Sequence, residues 1–172
     1  MAVRFKHAMP VALVFGIAAI VMLAAVAAKP AGKQSPADPK ERYLSPIEMT
    51  LSTDGRLLYV VCEGSDEVRI LETGSGRLVG RIPVGRVPRG IASSPNGKFL
   101  YVTNAWSDDV SVIDALAGKV IQTLSAGFEP TGVLTDASGT SLYVANRLSG
   151  DVSVIDLNSG QETKRLLAGR GA

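Results

Sequence analysis

The sequence predicts an all-β chain of three four-stranded antiparallel repeats, each 42 residues long, after an apolar N-terminal segment. Three observations carry that prediction. Marker residues recur without a gap at a spacing of 42: Pro46, Pro88 and Pro130; Tyr59, Tyr101 and Tyr143; Val68, Val110 and Val152; Gly76, Gly118 and Gly160; Gly85, Gly127 and Gly169. Segments such as Val110-Ser111-Val112-Ile113-Asp114 alternate with period two, as a half-buried strand does. No stretch after Ala28 keeps a helical period.

The elements follow in order. Arg4 and Lys6 precede an uncharged apolar run from Pro10 to Ala28 that ends in small residues, with Ala25 and Ala27, or Val26 and Ala28, placed as at a cleavage site. Residues 1–28 therefore read as a secretory signal. The run is also about long enough to span a bilayer, so an uncleaved anchor is the alternative. Its Ala and Gly content makes it only mildly apolar and favours cleavage. Either way the rest of the chain is expected to be exported, periplasmic or extracellular, with membrane contact only through residues 10–28. Residues 29–42 are polar with three prolines and read as an extended linker. Loss of residues 1–28 leaves 16 basic residues against 16 acidic ones and no histidine. A neutral body offers no electrostatic footprint for nucleic acid.

Residues 43–172 hold the three repeats, about 45–86, 87–128 and 129–172. In the second, Gly90–Ser93 reads as strand one and Asn96-Gly97 as a hairpin turn in which both positions tolerate φ > 0. Phe99–Thr103, Val110–Asp114 and Val120–Leu124 read as strands two to four, with a polar loop at 105–109 and a turn around Gly118. Four strands in about 42 residues is the size of a β-propeller blade. Propellers close with four to eight blades, and one blade cannot bury both of its faces. Three blades thus predict an incomplete ring. Two explanations stand: the chain is the N-terminal part of a longer propeller, or two copies associate head to tail as a homodimer completing a six-blade ring.

The second repeat spells Tyr101-Val102-Thr103-Asn104, preceded by Pro88-Arg89-Gly90-Ile91 and followed by Val110-Ser111-Val112-Ile113-Asp114. The third has Tyr143-Val144-Ala145-Asn146 and Val152-Ser153-Val154-Ile155-Asp156, and the first departs with Tyr59-Val60-Val61-Cys62. In these residues the chain resembles the YVTN-type β-propeller repeat family, which includes YncE-like and surface-layer propellers. The resemblance covers residues 43–172. It implies that the loop between strands two and three and the loop between blades open on one face.

On that face, positions that differ between repeats are free for recognition. They are Glu63, Arg86, Trp106, Phe128, Glu129, Arg147 and Arg170, of which aromatics and arginines are the residue types that anchor binding. Ordinary drift of solvated loops would also produce such variation. Arg89, one step after Pro88, is read as facing the channel, with Glu48 and Thr131 in the same slot. Asp54, Asp108, Asp109, Asp114, Asp151 and Asp156 cluster at turns and read as backbone-bonding turn residues rather than a calcium site. Cys62 reads as a small, partly buried thiol at a strand end, and no Cys-x-x-Cys-His attaches a haem.

Without histidine there is no Ser-His-Asp arrangement and no histidine ligand for zinc or haem. Glycine-rich turns such as Thr73–Gly76 lack the Gly-Lys-Ser/Thr ending of a phosphate loop. No catalytic residue, metal site or cofactor is expected. The reading is an exported, non-catalytic binding or scaffold module that presents loops to a protein, a glycan or a small ligand. The alternative comes from the resemblance: some relatives are similar to lactonases, and others join the propeller to a cytochrome c or di-haem peroxidase-like domain. The chain would then be the N-terminal fragment of an enzyme whose catalytic groups lie beyond residue 172.

Overall fold

The computed structural model describes residues 43–168. The expected export segment 1–28, the linker 29–42 and Arg170 lie outside the described residues. The described chain forms three four-stranded antiparallel sheets in meander order. The first contains β1 (Pro46–Leu51), β2 (Leu57–Cys62), β3 (Glu67–Glu72) and β4 (Leu78–Pro83). The second contains β5 (Pro88–Ser93), β6 (Phe99–Asn104), β7 (Asp109–Asp114) and β8 (Lys119–Ser125). The third contains β9 (Pro130–Thr135), β10 (Ser141–Asn146), β11 (Asp151–Asp156) and β12 (Gln161–Leu167). Each strand of the second repeat falls within one or two residues of its expected limits. The register repeats as well. A bulge interrupts the pairing of strands three and four at Ile70/Leu71, Val112/Ile113 and Val154/Ile155.

Period-two alternation gives each sheet two apolar faces, and successive sheets stack through them. Tyr59, Val61, Val68, Ile70 and Ile82 of the first sheet pack on Ile91, Leu100, Val102 and Ile113 of the second. Tyr101, Val110, Val112 and Leu124, on the other face of the second sheet, pack on Leu142, Val144 and Ile155 of the third. Full burial of a side chain such as Leu100 or Ile113 contributes roughly 1.5–3 kcal/mol. First strands β1, β5 and β9 lie side by side, whereas the fourth strands barely meet. The stack is therefore a wedge of propeller blades, narrow at the first strands and splayed at the fourth. The outermost strand, β12, is exposed along its whole length.

Three expectations change in detail. Asn96 does not adopt φ > 0; Gly97 alone does, at 69°. The turn runs Ser94–Gly97, with the Gly97 N–H on the Ser94 carbonyl at 2.9 Å, and the Asn96 side chain bonds within it. Asn96 is used as an acceptor, not for left-handed backbone. The slot of Arg89 in the first sheet holds Ile47, not Glu48, because β1 begins at Pro46 as β5 begins at Pro88. Cys62 is fully buried rather than partly so, with 1% exposure.

Candidate functional site

The loop-bearing end of the wedge is built by a small hydrogen-bonded ladder between loops. Each stretch entering a sheet runs beside that sheet's two-three loop. In the first sheet Glu63 N–H bonds to the Ser45 carbonyl and Gly64 N–H to that of Leu44. In the second, Ala105 N–H meets the Val87 carbonyl at 2.9 Å and Trp106 N–H meets that of Arg86 at 3.1 Å. In the third, Arg147 N–H meets Glu129 at 3.0 Å and Leu148 N–H meets Phe128 at 3.2 Å. The ladder fixes which side chains become neighbours.

Two aspartates hold it in register. Asp66 and Asp108 adopt left-handed backbone at φ 53° and 55°. Their Oδ1 atoms accept the N–H of Val87 at 2.8 Å and of Glu129 at 2.9 Å. Their carbonyls accept the N–H of Val84 at 3.0 Å and of Ala126 at 3.1 Å. Gly150 takes the same place in the third sheet and accepts from Ala168.

Beneath the ladder, buried asparagines clasp strand to loop. Asn146 donates to Asp151 at 2.7 Å and Ser153 at 2.9 Å, and its Oδ1 accepts the Gly127 N–H at 3.1 Å. Asn104 donates likewise to Asp109 at 2.6 Å and Ser111 at 2.9 Å. Its Oδ1 is buried without a partner. Burial raises the Asp109 carboxyl above the ordinary range, against the lowering effect of the Asn104 hydrogen bond. In the first sheet all three clasp positions change together. Cys62, Glu67 and Arg69 replace the Asn, Asp and Ser, and Glu67 and Arg69 form an ion pair at 2.8 Å. Burial pushes the Cys62 thiol up in pKa.

The expected site residues fall into pairs on this scaffold. The Arg86 guanidinium lies over the Trp106 ring, 5.4 Å from its centre, and the indole is 66% exposed. Arg89 reaches back to Glu63 of the preceding sheet at 3.1 Å. Arg147 binds Glu129 through Nε at 2.8 Å and through its terminal nitrogen. Phe128 is 61% exposed beside Leu148, which is 71% exposed. Among the described residues, Arg86 alone of these three arginines has no carboxylate partner.

The sequence did not single out Ser107, whose hydroxyl accepts the Arg86 N–H at 2.9 Å, nor Leu148 and Asp66. Asp66 carried a usable signal, since Ser-Asp recurs at 65–66 and 107–108. Among the described residues no cluster of three His, Cys, Asp or Glu side chains could hold a metal ion.

The family model described as lactonase, seven-bladed β-propeller, matches residues 23–118, more than half of the chain. No curated protein matches. Among solved structures the chain is similar to the hydrazine synthase of Kuenenia stuttgartiensis, with a TM-score of 0.68 and 27% identity. That likeness covers 77% of this chain and spans 38% of the length of the other.

Proposed function

The chain belongs to the lactonase, seven-bladed β-propeller family, and from that premise we propose that it is an exported binding module of the YVTN type whose loop face takes a carboxylate-bearing ligand, a sugar acid or acidic glycan. The observation that carries the reading is the Arg86–Trp106 pair. A guanidinium stacked on an exposed indole keeps its hydrogen-bonding edge free, and the stack holds it in place. The neighbouring described arginines, Arg89 and Arg147, are neutralised by Glu63 and Glu129, so that among the described residues Arg86 is left to meet a ligand carboxylate. Phe128 and Leu148 add an apolar shelf on the same face, suited to the carbon skeleton of a sugar.

The YVTN assignment rests on the roles of Thr103 and Asn104 in joining strands and loops. Export rests on the composition of residues 1–28.

Trp106 is the sole tryptophan, so its emission reports on this face. Titration with gluconate and with oligogalacturonate should give a saturable change in emission, absent in Arg86→Ala. Flat titrations with both probes sink the reading.

The family description favours a second reading, in which the chain is part of an enzyme that acts on a lactone. Hydrolysis of gluconolactone by the chain above the buffer rate would support that reading over the first.

A further inference from the structure

We propose that the cleft between the second and third sheets, at the end opposite the two-three loops, is a binding site separate from the loop face and takes one uncharged hydroxylated ring, a monosaccharide unit. This inference does not depend on the carboxylate reading of the loop face.

The cleft has a volume of about 230 Å³ and lies where the one-two turns of both sheets meet the three-four turn of the third. β6 supplies its floor, with Phe99 half-buried and Tyr101 only 3% exposed. Leu157 closes the far side and Asn96 stands on the rim. The Tyr101 hydroxyl has no hydrogen-bond partner among the described residues and is not sealed in the core, so it opens on the cleft. A nearly buried hydroxyl left unpaired is unfavourable, and a ligand hydroxyl would satisfy it. The Asn96 Oδ1 is taken by Ser94 and Lys98, which leaves its amide nitrogen to donate. An apolar wall with two placed polar groups suits a ring that has a C–H face and a hydroxyl edge. The volume falls below the roughly 300–1,000 Å³ of sites for larger ligands and suits a single ring.

The junction between the first and second sheets lacks this arrangement. There, 42 residues earlier, Asp54 stands for Asn96, Leu57 for Phe99 and Ala115 for Leu157. Burial and then the Asp54 charge raise the Tyr59 phenol in pKa, whereas burial alone raises Tyr101. The second junction has thus exchanged a carboxylate beside the tyrosine for an amide, and an aliphatic chain for an aromatic ring. Its turns also stand further apart. A Cβ on Gly97 would come within 2.7 Å of Thr53, but one on Gly139 only within 3.2 Å of Pro95.

No charged residue among those described lines the cleft. Asp136 and Asp156, in the turns beside it, are kept ionised by hydrogen bonds that lower their pKa. They disfavour an anion, so the ring is neutral.

The test titrates the full chain, in a detergent without a sugar headgroup, with glucose, galactose, N-acetylglucosamine and myo-inositol, read by saturation-transfer NMR. At least one probe should bind saturably in the millimolar range, without competition from gluconate. Equal binding of its methyl glycoside would assign the ring to a glycan, and exclusion of the glycoside to a free sugar; both keep the site. Asn96→Asp and Phe99→Leu install residues with which the first repeat already builds the same turn and strand, so both should fold. These variants and Tyr101→Phe should each bind about tenfold more weakly or worse while melting near the wild-type temperature. Arg86→Ala should bind the probes as wild type does. No saturable binding by any probe, unchanged affinity in Asn96→Asp and Tyr101→Phe, competition by gluconate, or a loss in Arg86→Ala would each overturn the proposal.

Discussion

Each residue of Tyr101-Val102-Thr103-Asn104 has a separate job. Tyr101 enters the core shared with the third sheet, and Val102 the core shared with the first. Thr103 accepts the Gly90 N–H and donates to the Thr131 carbonyl, both at 2.8 Å, tying β5 and β6 to β9. Asn104 clasps the start of β7. Two glycines exist to let these groups in. A Cβ on Gly85 would lie 2.5 Å from Asn104 Cγ, and one on Gly90 would lie 2.2 Å from the Thr131 carbonyl oxygen. Gly85→Ala should therefore cost about 1–3 kcal/mol, the range for overpacking a filled site, measured as a drop in denaturant midpoint with unchanged slope. An unchanged midpoint would mean that the clasp yields freely. Val87 gives the opposite case. It is β-branched, yet sits at φ 54°, held there by the Asp66 carboxylate. Left-handed backbone costs such a residue roughly 1–2 kcal/mol, and glycine adds back about 0.4–1 kcal/mol of unfolded-state entropy. Val87→Gly should raise the unfolding free energy by roughly 0.5 kcal/mol, measured as a higher denaturant midpoint with unchanged slope.

At the scale of the element, each one-two turn is stapled by a hydroxyl and an amide or carboxylate, and the third repeat has exchanged them. Ser52 bonds Asp54 and Ser94 bonds Asn96, but Asp136 bonds Ser138. Asp136 also accepts the N–H of Thr140 and Ser141. These bonds, the Ser138 hydroxyl first, lower its pKa to about 2. The folded pKa is depressed, so the stabilisation is complete above the ordinary value of 3.8 and is lost as pH falls through about 2. Asp136→Asn should lower the melting temperature at neutral pH and lose much less than wild type between pH 4 and 2. Parallel melting curves for the two proteins over that window would refute the assignment.

The same turns show what the sequence could and could not tell. Alternation in Val110–Asp114 and the recurring glycines located strands and turns, because both are local and repeat. The turn type around Asn96 is not legible in the sequence, since its side-chain bonds to Ser94 and Lys98 compete with left-handed backbone. The site residues could be named from their variation between repeats. Their pairing could not, because Arg86 meets Trp106, and Arg89 meets Glu63, only through the ladder between loops and the stacking of sheets.

For the whole molecule, stability should follow the stacking. Only the second sheet is covered on both faces by described neighbours. In a one-dimensional stack each unit gains from its neighbours, so end units open at lower free energy than a middle unit. β6 and β7 carry nearly continuous burial, whereas the corresponding strands β2, β3, β10 and β11 mix buried positions with half-buried ones and, at Ala145, an exposed one. Native-state hydrogen exchange should show the slowest amides in β6 and β7, an intermediate class in the central strands of the two outer sheets, and the fastest in β12. Uniform protection would mean that the wedge opens as one cooperative unit and that the end faces cost it nothing.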